Sequence, residues 1–147
     1  MLTAGIKAPH FVLTDQHGHA VNLADFLGER VVLCFFDKYT DLACSFRDVF
    51  AEFKARGVVV LGITTDDVTA NREFAYQHRL PFKLLADTNW AAITAYDVWK
   101  KKAAPNRQSW GVSRAIFVID QEGIIRKVFE KPRAFACAQY VLSELKF

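Results

Sequence analysis

The residue types able to do chemistry in this chain are thiols. Three cysteines stand at Cys34, Cys44 and Cys137, far apart and with no C-x-x-C pair. That spacing argues against a zinc ribbon and against a thioredoxin-type dithiol. Cys34 lies inside the apolar run Val31–Phe36 and reads as a small buried hydrophobe. Cys44 stands near the start of a helix-forming stretch. A thiol reacts as its thiolate, and a free cysteine ionises near ~8.5; a helix N-terminus and a nearby cation lower that value. Arg47 is three residues on, and Arg114 could reach Cys44 through the fold. Asp37, Asp41 and Asp48 would act in the opposite sense if close.

Other chemistries lack their residues. His10, His17 and His19 fall near one another in sequence, but there is no H-E-x-x-H and no paired Cys/His spacing, so no metal is expected. A P-loop, a G-x-G-x-x-G and a G-x-S-x-G elbow are all absent, and no cofactor is expected.

The elements that must position Cys44 follow from periodicity. With 147 residues, 52% of them hydrophobic, the chain reads as one domain spanning 1–147 with one core. His10–Leu13 and Ala20–Leu23, joined by turn residues, suggest a β-hairpin, followed by a short helix over Ala24–Leu27. Val31–Phe36 and Val58–Ile63 are continuous apolar runs, as in strands covered on both faces. Between them Leu42, Phe46, Val49, Phe50 and Phe53 form one helical stripe that predicts an uninterrupted helix from Leu42 to Gly57. Cys44 lies nearly opposite this stripe, with Asp48, Ala51 and Ala55, and so outside the core.

Further helices are expected over Thr69–Arg79, Asn89–Tyr96 and 134–146, and strands over Phe82–Leu85, Ala115–Asp120 and Ile124–Phe129. Residues 97–113 read as a loop. The order suggests an α/β sheet with helices on both faces.

The net charge of +3 is too small to point to nucleic acid, and Lys100–Lys102 with Arg107 reads as a solvated loop. No apolar run approaches a membrane span, and no secretory h-region opens the chain. Unpaired cysteines fit a reducing compartment, so the expected location is cytoplasmic.

Several stretches resemble a known family. Gly5–Phe11, Leu23–Gly28 and Val31–Leu33 resemble the opening of a peroxiredoxin. Cys44-Ser45-Phe46-Arg47-Asp48, Leu80-Pro81-Phe82, Tyr96–Trp99 and Gly111–Asp120 look like its bacterioferritin-comigratory, or PrxQ-like, branch. The resemblance implies a thioredoxin fold with an N-terminal β-hairpin extension. It also implies reduction of a hydroperoxide by a peroxidatic cysteine, recycled by a thioredoxin-like or small-thiol reductant. Arg114 matches the family's arginine, which would stabilise the thiolate and polarise the peroxide.

Between Phe35 and Phe46 the chain is several residues shorter than the family pattern. Counting forward from Val31–Phe36 puts Cys44 at the peroxidatic position. Counting back from Phe46-Arg47-Asp48 puts it at the resolving position, with Tyr39 in the peroxidatic place. An uninterrupted helix from Leu42 favours the second register. Thr40 supplies a hydroxyl just before Cys44.

The expected function is thiol-dependent hydroperoxide reduction, with Cys44, Arg114 and Thr40 as the site. The chain would be a monomer or weak dimer, with neither nucleic acid nor membrane as partner. The alternative is a scaffold domain that binds through Lys100–Trp110. A disulfide exchanger would need Cys34 or Cys137 brought to Cys44 by the fold.

Overall fold

The computed structural model describes residues 1–35, 40–104, 107–130, 132 and 137–145, the side chains at 40, 100–104 and 107–111 excepted. In chain order the elements are β1 (Val12–Thr14), β2 (Ala20–Asn22), β3 (Arg30–Phe35), α1 (Thr40–Asp48), α2 (Phe50–Ala55), β4 (Val58–Thr64), α3 (Val68–His78), β5 (Lys83–Ala86), α4 (Ala91–Ala95), β6 (Trp99–Ala104), β7 (Arg107–Val112), β8 (Ala115–Ile119), β9 (Ile125–Glu130) and α5 (Cys137–Ser143).

A seven-stranded mixed sheet organises them in the order β2-β1-β5-β4-β3-β8-β9. The apolar runs become its centre: β3 lies parallel to β4, Val32 opposite Val60, and antiparallel to β8, Val32 opposite Val118. Side chains alternate across a strand, so each central strand feeds two cores. Val31, Leu33 and Phe35 join Phe117 and Ile119 on one face, with Ile93 of α4. Val32 and Cys34 join Ile116 and Val118 on the other, with residues of α1, α2, α3 and α5. Both faces of these strands are covered by apolar side chains, which is why they carry no polar alternation.

The N-terminal hairpin is stitched to the sheet by side chains. Asp15 is buried and accepts from the N–H groups of His17 and His19, each at 2.9 Å. His17 and His19 therefore mark a turn wrapped around a carboxylate. Gln16 accepts from the Leu84 N–H at 2.8 Å and donates to the Phe82 carbonyl at 3.1 Å, tying the turn to β5. The short helix that follows is a 3-10 turn over Leu23–Phe26, capped by Asn22.

Three sequence expectations change. The helix predicted from Leu42 to Gly57 is broken: Val49 leaves helical geometry at φ −118°, ψ 16°, separating α1 from α2. The two pieces have different neighbours, since α1 packs on α5 and α2 on β4. Phe46 and Phe53 still stack across the break at 5.5 Å, so the apolar stripe survives the kink. Second, residues 97–113 are no loop. They hold the antiparallel pair β6–β7, Trp99 opposite Val112 and Ala104 opposite Arg107. Its strands pair through backbone groups that every residue carries, so no apolar alternation announces the ribbon. Trp99 rests on Trp90, ring centroids 4.1 Å apart. Third, the closing helix is described only over Cys137–Ser143, shorter than the predicted 134–146; residues 134–136 and 146 lie outside the described residues.

Candidate thiol site at the carboxyl end of the central strand

The central strand β3 ends at Phe35 and α1 begins at Thr40, so the chain turns at the carboxyl edge of the sheet. Cys44 is the fifth residue of α1. It stands in the second turn, beyond the free N–H groups of the first, and the field of the helix end weakens over that distance. The expected help from the helix N-terminus is therefore reduced. Thr40 heads α1, but its side chain lies outside the described residues, as do Asp37 and Tyr39.

The expectation that Cys44 lies outside the core holds. Its neighbours Leu42, Ala43 and Phe46 are buried, whereas Cys44 is only half-buried and Asp41 and Asp48 are exposed. Arg47, one turn further, lies close enough for the Cys44 thiol to act on it electrostatically. The Arg47 guanidinium is fixed by two bonds. Its Nε donates to Asp48 Oδ1 at 2.9 Å, and an Nη donates to the His78 carbonyl at 2.9 Å. The Asp48 bond, foremost, raises the Arg47 pKa, and the nearby Cys44 adds to the rise. The carboxylate expected to oppose Cys44 is thus partly occupied by Arg47.

Arg114 precedes β8. Phe35 pairs with Ala115, so Arg114 stands one step past the end of β3, at the same edge where α1 begins. The preceding Ser113 is buried and donates its N–H to the Val98 carbonyl at 2.7 Å, which fixes the corner. Arg114 lies just ahead of the strand whose Ile116 and Val118 face the α1 and α5 side. There its charge acts on the thiol of Cys137, the first residue of α5. Burial pushes Cys137 up to about 11, and Arg114 works in the opposite direction. Cys34, beneath, is fully enclosed. Burial drives its pKa well above the ordinary value, and charge on Cys137 pushes it the same way.

The fold therefore brings Cys137 within reach of the Arg114 charge and into one buried cluster with Cys34, and sets Cys44 with Arg47 on α1 at the same edge. Sequence reading named Cys137 only as a possible partner for Cys44 and did not place it within reach of the Arg114 charge. The only signal for it was an otherwise unexplained cysteine near the start of the last helix.

Elsewhere, a cavity of about 200 Å³ opens at the opposite end of β3, lined by Lys7, His10, Leu23, Phe26, Glu29 and Asp120 among others. Among the described residues no group of three or more His, Cys, Asp or Glu is placed to hold a metal ion. Also among them, no helix is long and apolar enough to cross a membrane.

Comparison with known proteins agrees with this architecture. The AhpC/TSA family model matches residues 4–128. The Escherichia coli K12 peroxiredoxin Bcp is 39% identical over 150 aligned positions, covering 99% of this chain and 96% of that protein. Those positions outnumber the chain's 147 residues, so the relative carries residues that this chain lacks. The Bacillus subtilis peroxiredoxin Bcp is 35% identical over 147 positions, covering 97% of this chain and 94% of that protein. In structure, the Xanthomonas campestris bacterioferritin comigratory protein, for which alkyl peroxide reduction is described, matches at TM-score 0.89. Its identity is 26%, with 97% of each chain covered. A Xylella fastidiosa PrxQ variant matches at TM-score 0.93 and shares the thioredoxin-type peroxiredoxin fold. By sequence and fold together, this chain belongs to the AhpC/TSA family of peroxiredoxins, in its Bcp/PrxQ-like branch.

Proposed function

We propose that the chain is a thiol-dependent hydroperoxide reductase in which Cys44 is the reacting cysteine. The observation that carries this reading is the position of Cys44. It is the least buried of the three thiols, at the carboxyl edge of the sheet, beside a guanidinium already held in place. A thiolate there attacks one peroxide oxygen; the O–O bond breaks, the alcohol leaves, and the sulfur becomes a sulfenic acid. Arg47, held beside Cys44, offers its positive charge to the negative charge that develops in the reaction. Arg114, at the same edge, serves the developing negative charge on the leaving oxygen. Thr40, four residues before Cys44, is kept as the third residue of the proposed site.

The sulfenic acid is returned to the thiol by a thioredoxin-like or small-thiol reductant. The relatives' names speak for the reductase over the scaffold alternative. We place the protein in the cytoplasm, working as one domain over residues 1–147 and as a monomer or weak dimer.

The test is consumption of hydrogen peroxide and of an alkyl hydroperoxide by the wild type and by Cys44→Ser, with thioredoxin or glutathione as reductant. Consumption well above background in the wild type, lost in the variant, supports the reading. Equal background rates overturn it.

A further inference from the structure

The cavity beside Val31 lies at the amino end of β3, whereas α1 and Cys44 follow its carboxyl end. It therefore stands apart from the thiol site. Its floor is apolar, with Leu23, Val31 and Ile119 all buried. Leu27 on its wall is 62% exposed. Backbone bonds pin both sides. The Gly28 N–H donates to the Gln121 carbonyl at 2.8 Å, and the Ala8 N–H donates to the Gly123 carbonyl at 2.9 Å. The cavity is thus formed in advance, which spares a ligand the cost of ordering it. At Gly123 the backbone runs at φ +83°, and an added Cβ would stand 3.4 Å from Leu27 Cδ2. Glycine takes that turn without strain and keeps the wall clear of a side chain.

Charge adds to the shape. Asp120, 7% exposed, accepts from the Glu122 and Ile124 N–H groups at 2.9 and 3.0 Å and from Arg126 Nε at 2.5 Å. Its charge is matched within the protein. Exposed Lys7 and Glu29 also line the cavity, one of each sign. A lone anion would meet Glu29 and a lone cation would meet Lys7, whereas a zwitterion offers each its opposite. The volume of about 200 Å³ holds roughly seven waters at ~30 Å³ each, the bulk of a leucine-sized molecule.

We infer that this cavity binds a free apolar α-amino acid of leucine size. The branched side chain lies on the floor of Leu23, Val31 and Ile119, the ammonium turns to Glu29 and the carboxylate to Lys7.

The test is a titration of the isotopically labelled full chain with L-leucine, followed by amide chemical shifts. Saturable shifts are expected at Ala8, Val31 and Gly123. Isoamylamine, which lacks the carboxylate, and isocaproate, which lacks the ammonium, should each bind about tenfold more weakly, the loss of one charged hydrogen bond. Glu29→Gln and Lys7→Gln should weaken leucine binding by about the same factor. Ala24→Trp, at an exposed position lining the cavity, should abolish it. No saturable shift at Ala8, Val31 and Gly123 would overturn the inference, and so would single-charge analogues that bind as well as leucine. The readout is binding and not peroxide consumption, so its outcome is separate from that of the reaction proposed at Cys44. If Ala24→Trp does not fold by circular dichroism, the two exposed charge variants decide.

Discussion

The charge of Arg114, one step past Phe35 at the edge of the sheet, acts on the Cys137 thiol. Burial lifts Cys137 to about 11, and Arg114 is what keeps it from rising further. Replacing Arg114 with Ala should therefore move Cys137 ionisation to higher pH. In a Cys44→Ser chain, iodoacetamide labelling of Cys137 should slow across the alkaline range, and Arg114→Lys should recover much of the rate by keeping the charge. Identical profiles for all three proteins would show that the two groups do not interact.

Arg47 offers a second test at the other thiol. Its Nε and Nη are committed to Asp48 and the His78 carbonyl, so it is held beside Cys44. Arg47→Ala should lower the rate of peroxide reduction several-fold by removing the cation held beside Cys44. Arg47→Lys should recover part of the rate by keeping the charge, whereas a purely structural defect would leave both variants equally slow. Peroxide consumption by the three proteins at one pH checks this.

Asp15 predicts a pH dependence of stability. Burial raises its pKa, but the N–H bonds from His19 and His17, together with Lys83, outweigh burial and leave it below its ordinary 3.8. A carboxylate with a depressed native pKa contributes stability that is present above the unfolded value, near ~3.9, and lost as pH falls through the native one. Asp15→Asn should thus be destabilised relative to wild type at neutral pH, with the gap narrowing as pH drops below that range. Urea unfolding at a series of pH values checks the sign; a gap that widens in acid would contradict it.

Gln16 joins the N-terminal turn to β5 through one donated and one accepted bond, both buried. Removing its amide leaves the Leu84 N–H and the Phe82 carbonyl without these partners in a dry place. Gln16→Ala should cost about 1–3 kcal/mol, the penalty of orphaned buried polar groups. Thermal unfolding reads this, and hydrogen exchange should show the loss concentrated at Leu84.

Much of the architecture was legible because burial writes itself into composition. Val31–Phe36 and Val58–Ile63 are apolar throughout because both faces of β3 and β4 are covered. The spacing of Leu42, Phe46 and Phe53 placed Cys44 outside the core, as found. The β6–β7 ribbon was not legible, because backbone pairing rather than side-chain periodicity builds it. Nor was the break at Val49, where two pieces with one continuous stripe pack on different partners.

The site divides in the same way. The chain by itself determined the sheet, its hairpin extension, the edge at which α1 begins and the branch of the family, since these rest on local pattern and on ordered motifs. Arg114 was singled out as a candidate by the residues around it. Which groups stand together was decided only by tertiary structure. Strand register put Arg114 one step past Phe35, and α5 carried Cys137 into reach of its charge and into the same buried cluster as Cys34. No spacing in the sequence encodes that meeting, because it depends on packing between segments far apart in the chain.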